Sequence, residues 1–331
     1  MTGKTETLVA GENDAGKRLD RVLRRHFPRL ALSGVYRLIR RGRAKVNGRT
    51  VGIDYRLSPG DRIVVPAAVV ALGRAPAPTD RSAAVAQLEK LTLFRNKDVL
   101  ALNKPAGALA HGPGSLDELV AAAFAHVDDS LSFRPGPAHR LDRETTGVQL
   151  WSLSLAGARE LARLFRSRGV MKVYCALVAG RIGEPEEWED RLERDRESGK
   201  TIAAPPDGGA DGSLRGLPAF TSVLPVIPGD RYTLLLFLPK TGRTHQLRFQ
   251  AARRGHPLPG DGKYGGSTAL PRFLLHSLGL RADSDALRLP PLVAPFDRFG
   301  RETVTALFGP GALEDVYRRC RELLGLPPAG S

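Results

Sequence analysis

The stretch HRLDRETTG (139–147), running into the apolar segment VQLWSL (148–153), organises the reading of this 331-residue chain. Asp142 stands between Arg140 and Arg143, just ahead of residues with the Val/Leu/Trp composition of a buried β-strand. A carboxylate flanked by two guanidinium groups is held ionised by the neighbouring positive charge. The same spacing also fits an ordinary acidic turn with solvated arginines, and on these nine residues alone the two readings stand level.

Outward from this stretch, charge is the next signal. The formal net charge is +15, and residues 17–66 carry fourteen Lys and Arg against three Asp. Such a surplus fits a polyanion, nucleic acid above all, because each phosphate neutralised by Lys or Arg releases condensed counterions; the resemblance given below narrows this to RNA, with DNA not expected. The two cysteines, Cys175 and Cys320, form no CxxC pair. They fit a reducing compartment and exclude a zinc ribbon, while one disulfide stays possible. The N-terminal residues lack the apolar core of a secretory signal, and no run approaches a membrane span, so a soluble, cytoplasmic protein without a membrane partner is expected. No oligomerisation segment is visible, which favours a monomer.

The basic region has the periodicity of a small domain. Leu19, Val22 and Leu23 share one helical face, with Pro28 ending the helix. Ser33 is a candidate N-cap for a second helix, with Val35, Leu38 and Ile39 facing inward, Gly42 as its stop, and Arg37, Arg40 and Arg41 turned outward. Strand-like pieces follow at 44–46, 55–57 and 62–65, with a turn at Asn47-Gly48. Residues 67–90, rich in Ala and without alternation, read as a linker. From residue 91 onward, β-type runs fall at 91–94, 99–102, 148–153, 173–178, 220–226 and 232–238, with helical patterns at 116–126, 155–166 and 313–324. The two types do not alternate strictly, which predicts an α+β fold. The polar stretch 183–218 reads as a surface hairpin or insertion, and its acidic part, 184–190, is not expected to face RNA.

HRLDRETTG closely resembles the catalytic motif HRLD-x-x-T-S-G of the RluA family of pseudouridine synthases. LALNKPAG (100–107), MKVYCALVAG (171–180), KTGRTHQLR (240–248), RGHPLPGDGKYGG (254–266) and LLHSLGL (274–280) resemble further family segments in the same order. Residues 14–66 resemble an S4 domain, an RNA-binding module of αL-like architecture. The resemblance implies an S4 domain at 14–66, a linker at 67–90, and a catalytic domain at 91–325 built on a bent, mainly antiparallel sheet. With the S4 module and GVMKVYCALV, the chain is similar to members acting on large-subunit ribosomal RNA, the RluC and RluD type. Ribosomal RNA is therefore the expected substrate and transfer RNA the alternative; a non-catalytic RNA-binding or ribosome-assembly factor is the competing class. Thr146 and Ser277 depart from the family pattern, where serine and alanine are commoner.

Making pseudouridine breaks the N1–C1′ bond, turns the uracil and rejoins it through C5, so no redox step, cofactor or metal is required. A carboxylate must stay charged in a sheltered pocket beside a cation. The resemblance implies Asp142 as nucleophile, Arg243 as its ion partner, and Tyr174 as the aromatic platform whose phenol could also handle a proton. It implies Arg140 as the group that fills the gap left by a flipped base, and Leu247 as part of the apolar wall. Lys172 and Lys240 read as RNA-backbone contacts or surface charges, and His139 and His245 as hydrogen-bonded structural histidines. The GxGxxG match at 260–265 follows prolines instead of a strand and is dismissed as a dinucleotide site. Asp142 with Asp261 or Glu144 would suggest a glycosidase pair, a reading that ranks far lower.

Overall fold

The computed structural model describes residues 4–73, 81–109, 112, 114–124, 130–195, 197–204 and 216–328. In chain order the elements are β1 (Thr5–Val9), α1 (Leu19–His26), α2 (Leu32–Arg40), β2 (Lys45–Val46), β3 (Arg49–Thr50), β4 (Arg62–Pro66), α3 (Ala67–Gly73), α4 (Arg81–Glu89), β5 (Thr92–Arg95), β6 (Val99–Lys104), α5 (Leu116–Ala123), β7 (Gly136–Pro137) and β8 (Thr146–Ser152). There follow α6 (Leu155–Ser167), β9 (Val170–Ala179), β10 (Glu186–Arg194), β11 (Thr201–Ala203), β12 (Leu217–Pro228), β13 (Tyr232–Pro239), α7 (Gln246–Arg253), β14 (Leu275–Ala282), β15 (Leu292–Val293), α8 (Arg298–Phe308) and α9 (Ala312–Leu324). Two compact units result. One comprises Met1–Lys90, Asp117–Gly136 and Ser152–Arg159; the other comprises Leu91–Leu116, Pro137–Trp151 and Glu160–Ser331.

In the first unit, Leu19, Val22 and Leu23 of α1 and Val35, Leu38 and Ile39 of α2 are buried in one core, as their spacing requires. α2 begins one residue before Ser33, after Ala31, and no side chain caps it. Gly42 stops it as expected: its φ is +65° and its N–H bonds to Ile39 O at 2.9 Å, an arrangement that suits a residue without Cβ. Asn47 and Gly48 both have positive φ, the geometry of the tight turn that joins β2 to β3. The sheet order is β1-β4-β2-β3. β1 extends this sheet upstream of residue 14, pairing along all of β4. It was hidden in the sequence because Leu8 is its one buried residue. The expected strand at 55–57 is reduced to a single bridge between Arg18 and Arg56.

The linker expectation needs correction at both ends. Residues 67–73 and 81–89 are helical, and Val70, Ala84 and Leu88 are buried. Absence of alternation argues against a strand only, and Ala-rich sequence favours helix. Residues 74–80 lie outside the described residues.

The second unit is built on an eleven-stranded sheet in the order β11-β10-β12-β13-β9-β14-β8-β6-β5, with β15 paired to β14 and β7 to β8. β14 runs antiparallel to β9 and parallel to β8. Alternation along β9 sorts its side chains between two layers. Tyr174, Ala176 and Val178 join Leu247 and Ala251 of α7, whereas Val173, Cys175 and Leu177 join Val304 of α8 and Val316 and Cys320 of α9. Both cysteines are buried and free. The run at 184–190 leads into the expected hairpin, β10 pairing antiparallel with β11. It enters β10, which pairs with β12 and buries Trp188 and Leu192. Asp190 there holds Arg254 at 2.8 Å and Arg253 at 3.3 Å, anchoring the C-terminal end of α7. Among the described residues no helix is long and apolar enough to cross a membrane.

Candidate active site

Asp142 lies on the turn that feeds β8, and two devices fix that turn. Gly147 has φ +103°, and a Cβ there would sit 2.2 Å from Ser277 O of β14, so only glycine lets the strands meet here. The register pairs Thr146 with His276 and Gly147 with Ser277. Below the turn, the buried Lys104 ammonium donates to the carbonyls of Arg143 (2.7 Å), Thr145 (2.9 Å) and Pro105 (3.0 Å). Burial, only partly offset by Glu144 and Asp142, brings its pKa down to about 8. With its three donors engaged, Lys104 ties two carbonyls of the Asp142 turn to the end of β6. Lys104→Met is expected to lower stability by about 3 kcal/mol, because buried carbonyls lose their donor, and to lower turnover with RNA affinity unchanged. Urea unfolding and single-turnover kinetics on the same preparation check both.

The hydroxyls of Thr146 and Ser277 are both engaged. Thr146 Oγ1 lies 2.7 Å from His276 Nδ1, and Nε2 of that ring lies 3.2 Å from Ala294 O. Because Nε2 must donate to the carbonyl, Nδ1 accepts from Thr146. Ser277 Oγ donates to Val148 O at 3.0 Å.

The cation beside Asp142 is Arg248, not Arg243. Arg248 Nη1 donates to Asp142 Oδ2 at 3.0 Å. Its Nε and Nη2 form a fork on Asp261, both at 2.7 Å, and the guanidinium lies over Phe273 (4.5 Å) and Tyr264 (5.2 Å). Burial opposes its charge, but Asp261 and Asp142 outweigh burial and hold its pKa above the ordinary value. Arg243, five residues earlier and before α7 begins, donates from Nε to Pro218 O at 3.0 Å. KTGRTHQLR holds two arginines, and the helix starts between them. That puts the second in the first turn of α7, aimed at Asp142, and leaves the first on the rim. Because the fork is spent on Asp261, the bond to Asp142 is single, and Oδ1 stays available.

Other expected residues gather at the same cleft, which is lined by Arg140, Asp142, Lys172, Tyr174, Arg243, His245, Leu247, Arg248 and Leu275. Tyr174 is buried, and burial first, with Asp142 adding, pushes its phenol up to about 12, so it can donate a proton but is no base near neutral pH. Leu247 and Leu275 are buried in the same apolar layer. Arg140 is exposed. Lys172 is half-buried inside the cleft and not a surface charge: Nζ lies 3.4 Å from Thr241 O, and burial lowers its pKa to about 8. Lys240 is a surface charge paired with Glu187 at 3.2 Å. His139 is hydrogen-bonded, its Nε2 accepting Leu150 N–H at 3.1 Å. In the first unit, Arg37, Arg40 and Arg41 are all exposed, with Arg40 over the Tyr36 ring.

Residues 98–253 match the model of the RNA pseudouridylate synthase family, and residues 17–63 match that of the S4 domain. Proteins named ribosomal large subunit pseudouridine synthase C are 30% identical. The one from Vibrio vulnificus (strain CMCP6) is matched over 87% of this chain and 91% of its own, and the one from Escherichia coli (strain K12) over 84% and 90%. Among solved structures, human RNA pseudouridylate synthase domain containing 4 superposes with a TM-score of 0.56 at 22% identity, covering 69% of this chain and 96% of its own.

Proposed function

Because this chain belongs to the family of RNA pseudouridylate synthases, we propose that it isomerises specific uridines in structured RNA with Asp142 as nucleophile and the target base flipped from its stack. The observation that carries the nucleophile is the single, fixed bond from Arg248 to Asp142, which neutralises one carboxylate oxygen and leaves the other facing the cleft. Tyr174 offers the uracil a flat face, and Leu141, Leu247 and Leu275 exclude water behind it. Arg140, exposed at the mouth, occupies the space vacated in the RNA.

Large-subunit ribosomal RNA is the favoured substrate, because the relatives matched along most of this chain are named for it. Arg37, Arg40 and Arg41 supply phosphate contacts from the S4 unit. The protein works as a monomer in the cytoplasm, on RNA and not on DNA. The test is to incubate it with unmodified ribosomal and transfer RNA and to map pseudouridine by carbodiimide-adduct primer extension. New stops confined to large-subunit RNA are expected. Stops confined to transfer RNA would overturn the substrate, and tight binding without stops on naked RNA or on assembling particles would overturn the activity.

A further inference from the structure

Next to the open oxygen of Asp142 stands His245. His245 Nε2 lies 3.9 Å from Asp142 Oδ1, on the side away from Arg248's bond. His245 is held in the left-handed region, with φ +51°, at the N-cap of α7. This conformation is uncommon for a side chain with Cβ and persists where the surroundings impose it. Here the surroundings are a chain of hydrogen bonds. Nδ1 lies 2.8 Å from Tyr264 Oη, and Tyr264 Oη in turn accepts the backbone N–H of Thr201 at 2.9 Å. Thr201 is fixed by its own hydroxyl, which donates to Thr244 O at 2.7 Å, so β11 braces the residue before His245 as well.

This chain of bonds has a direction. The Tyr264 oxygen already accepts from Thr201, so its own proton is satisfied by donation to Nδ1. The neutral ring then carries its proton on Nε2, facing the cleft beside Oδ1. Burial, reinforced by Arg248 and Lys263 and opposed by Asp142 and Asp261, keeps the imidazole below its ordinary pKa and therefore uncharged near neutral pH.

We propose that His245, set in this tautomer by Tyr264, is a hydrogen-bond donor to the uracil as it departs from C1′. The proposal rests on the pseudouridine synthase reading. When the N1–C1′ bond breaks, the bonding pair stays with the uracil, and the charge spreads over N1 and the ring oxygens. When C5 then bonds to C1′, that charge is spent; the C5 proton is lost to water as the C5=C6 bond is restored, and N1 takes a proton from water, so the base ends with as many protons as it began with. Nε2–H keeps its proton throughout and acts as a fixed dipole where the charge develops. A neutral donor suits this role, since it carries little desolvation cost before the bond breaks.

The test compares the wild type with His245→Gln, His245→Leu and Tyr264→Phe in single-turnover reactions. Substrates are the RNA established by primer extension and the same RNA carrying 5-fluorouridine, whose fluorine stabilises the departing anion. Loss of the N-glycosidic nucleoside is the readout. His245→Leu is expected to slow uridine cleavage about 100-fold but 5-fluorouridine cleavage only about tenfold. His245→Gln, which keeps an N–H donor, should recover most of the rate. Tyr264→Phe, which frees the tautomer but keeps the ring over Arg248, should lose about fivefold, with the same dependence on fluorine. Equal losses on both substrates would mean that His245 only positions Asp142, and the proposal would be overturned. An unimpaired His245→Leu would overturn it too, with wild-type activity intact. A wild type that makes no pseudouridine removes the reading beneath it instead.

Discussion

Asp142→Asn protein is expected to lose turnover by about ten-thousand-fold while keeping its RNA affinity within about twofold. The asparagine carbonyl can still accept Arg248 Nη1, so the bond seen at 3.0 Å survives, and Arg248 keeps its fork on Asp261. What disappears is the negative charge on the open oxygen, and an amide is no nucleophile toward C1′ or the base. The RNA contact proposed for Arg37, Arg40 and Arg41 of the first unit does not depend on that charge. Single-turnover pseudouridine formation and filter binding on one preparation separate the two quantities. Turnover above about 1% of wild type would remove Asp142 from the nucleophile's role, whereas a parallel fall in affinity would show that the substitution disturbs more than the charge.

The fold was legible where burial is one-sided or complete, and illegible where polar groups do the packing. β8 and β9 announce themselves through their apolar runs, β8 around Val148, Leu150 and Trp151 and buried throughout, β9 apolar at every position but Lys172. α7 does not, because its buried face is Gln246, Leu247, Arg248, Gln250 and Ala251. Gln246 and Gln250 spend their amides on Thr241, Thr221 and Asp190, partners brought together only by the sheet. β14 does not read as a strand in the sequence, since its His276 and Ser277 look like loop residues until Thr146 and Val148 are placed beside them. The linker reading failed for the opposite reason: residues 67–73 and 81–89 carry a strong helical preference and little pattern.

The site divides in the same way. Asp142, Tyr174, Lys172 and Leu247 do line one cleft, and short motifs were enough to place them there. The supporting residues were out of reach. Asp261 sits in the glycine-rich segment whose GxGxxG pattern lacks a preceding strand, and in sequence it suggests no more than a glycosidase partner for Asp142. It is joined to Asp142 through the arginine they share. Lys104 holds backbone carbonyls, which leave no mark on a sequence. The strand β11, within the stretch that reads as a surface hairpin or insertion, reaches Tyr264 by a backbone N–H, equally silent.

The correction from Arg243 to Arg248 gives the second large prediction. Arg248→Met should cost about 3–5 kcal/mol of stability, because it leaves the buried Asp261 carboxylate without its counter-charge. It should also reduce turnover about a thousandfold, since Asp142 loses the bond that orients it. Arg248→Lys should rescue neither fully: an ammonium is one point of charge and cannot fork onto Asp261 while reaching Asp142 Oδ2. Arg243→Met removes one bond to the Pro218 carbonyl at the rim, worth about 1 kcal/mol, and should act mainly on substrate affinity. Adding Asp261→Asn to Arg248→Met separates the two effects. With its buried partner neutralised, the protein should regain part of its stability, yet turnover should stay low, because Asp142 still lacks its cation. Urea unfolding and single-turnover rates across the five proteins decide the matter. If Arg243→Met proved the more damaging to turnover at saturating RNA, the arginine nearest Asp142 in the fold would not be the one that chemistry uses.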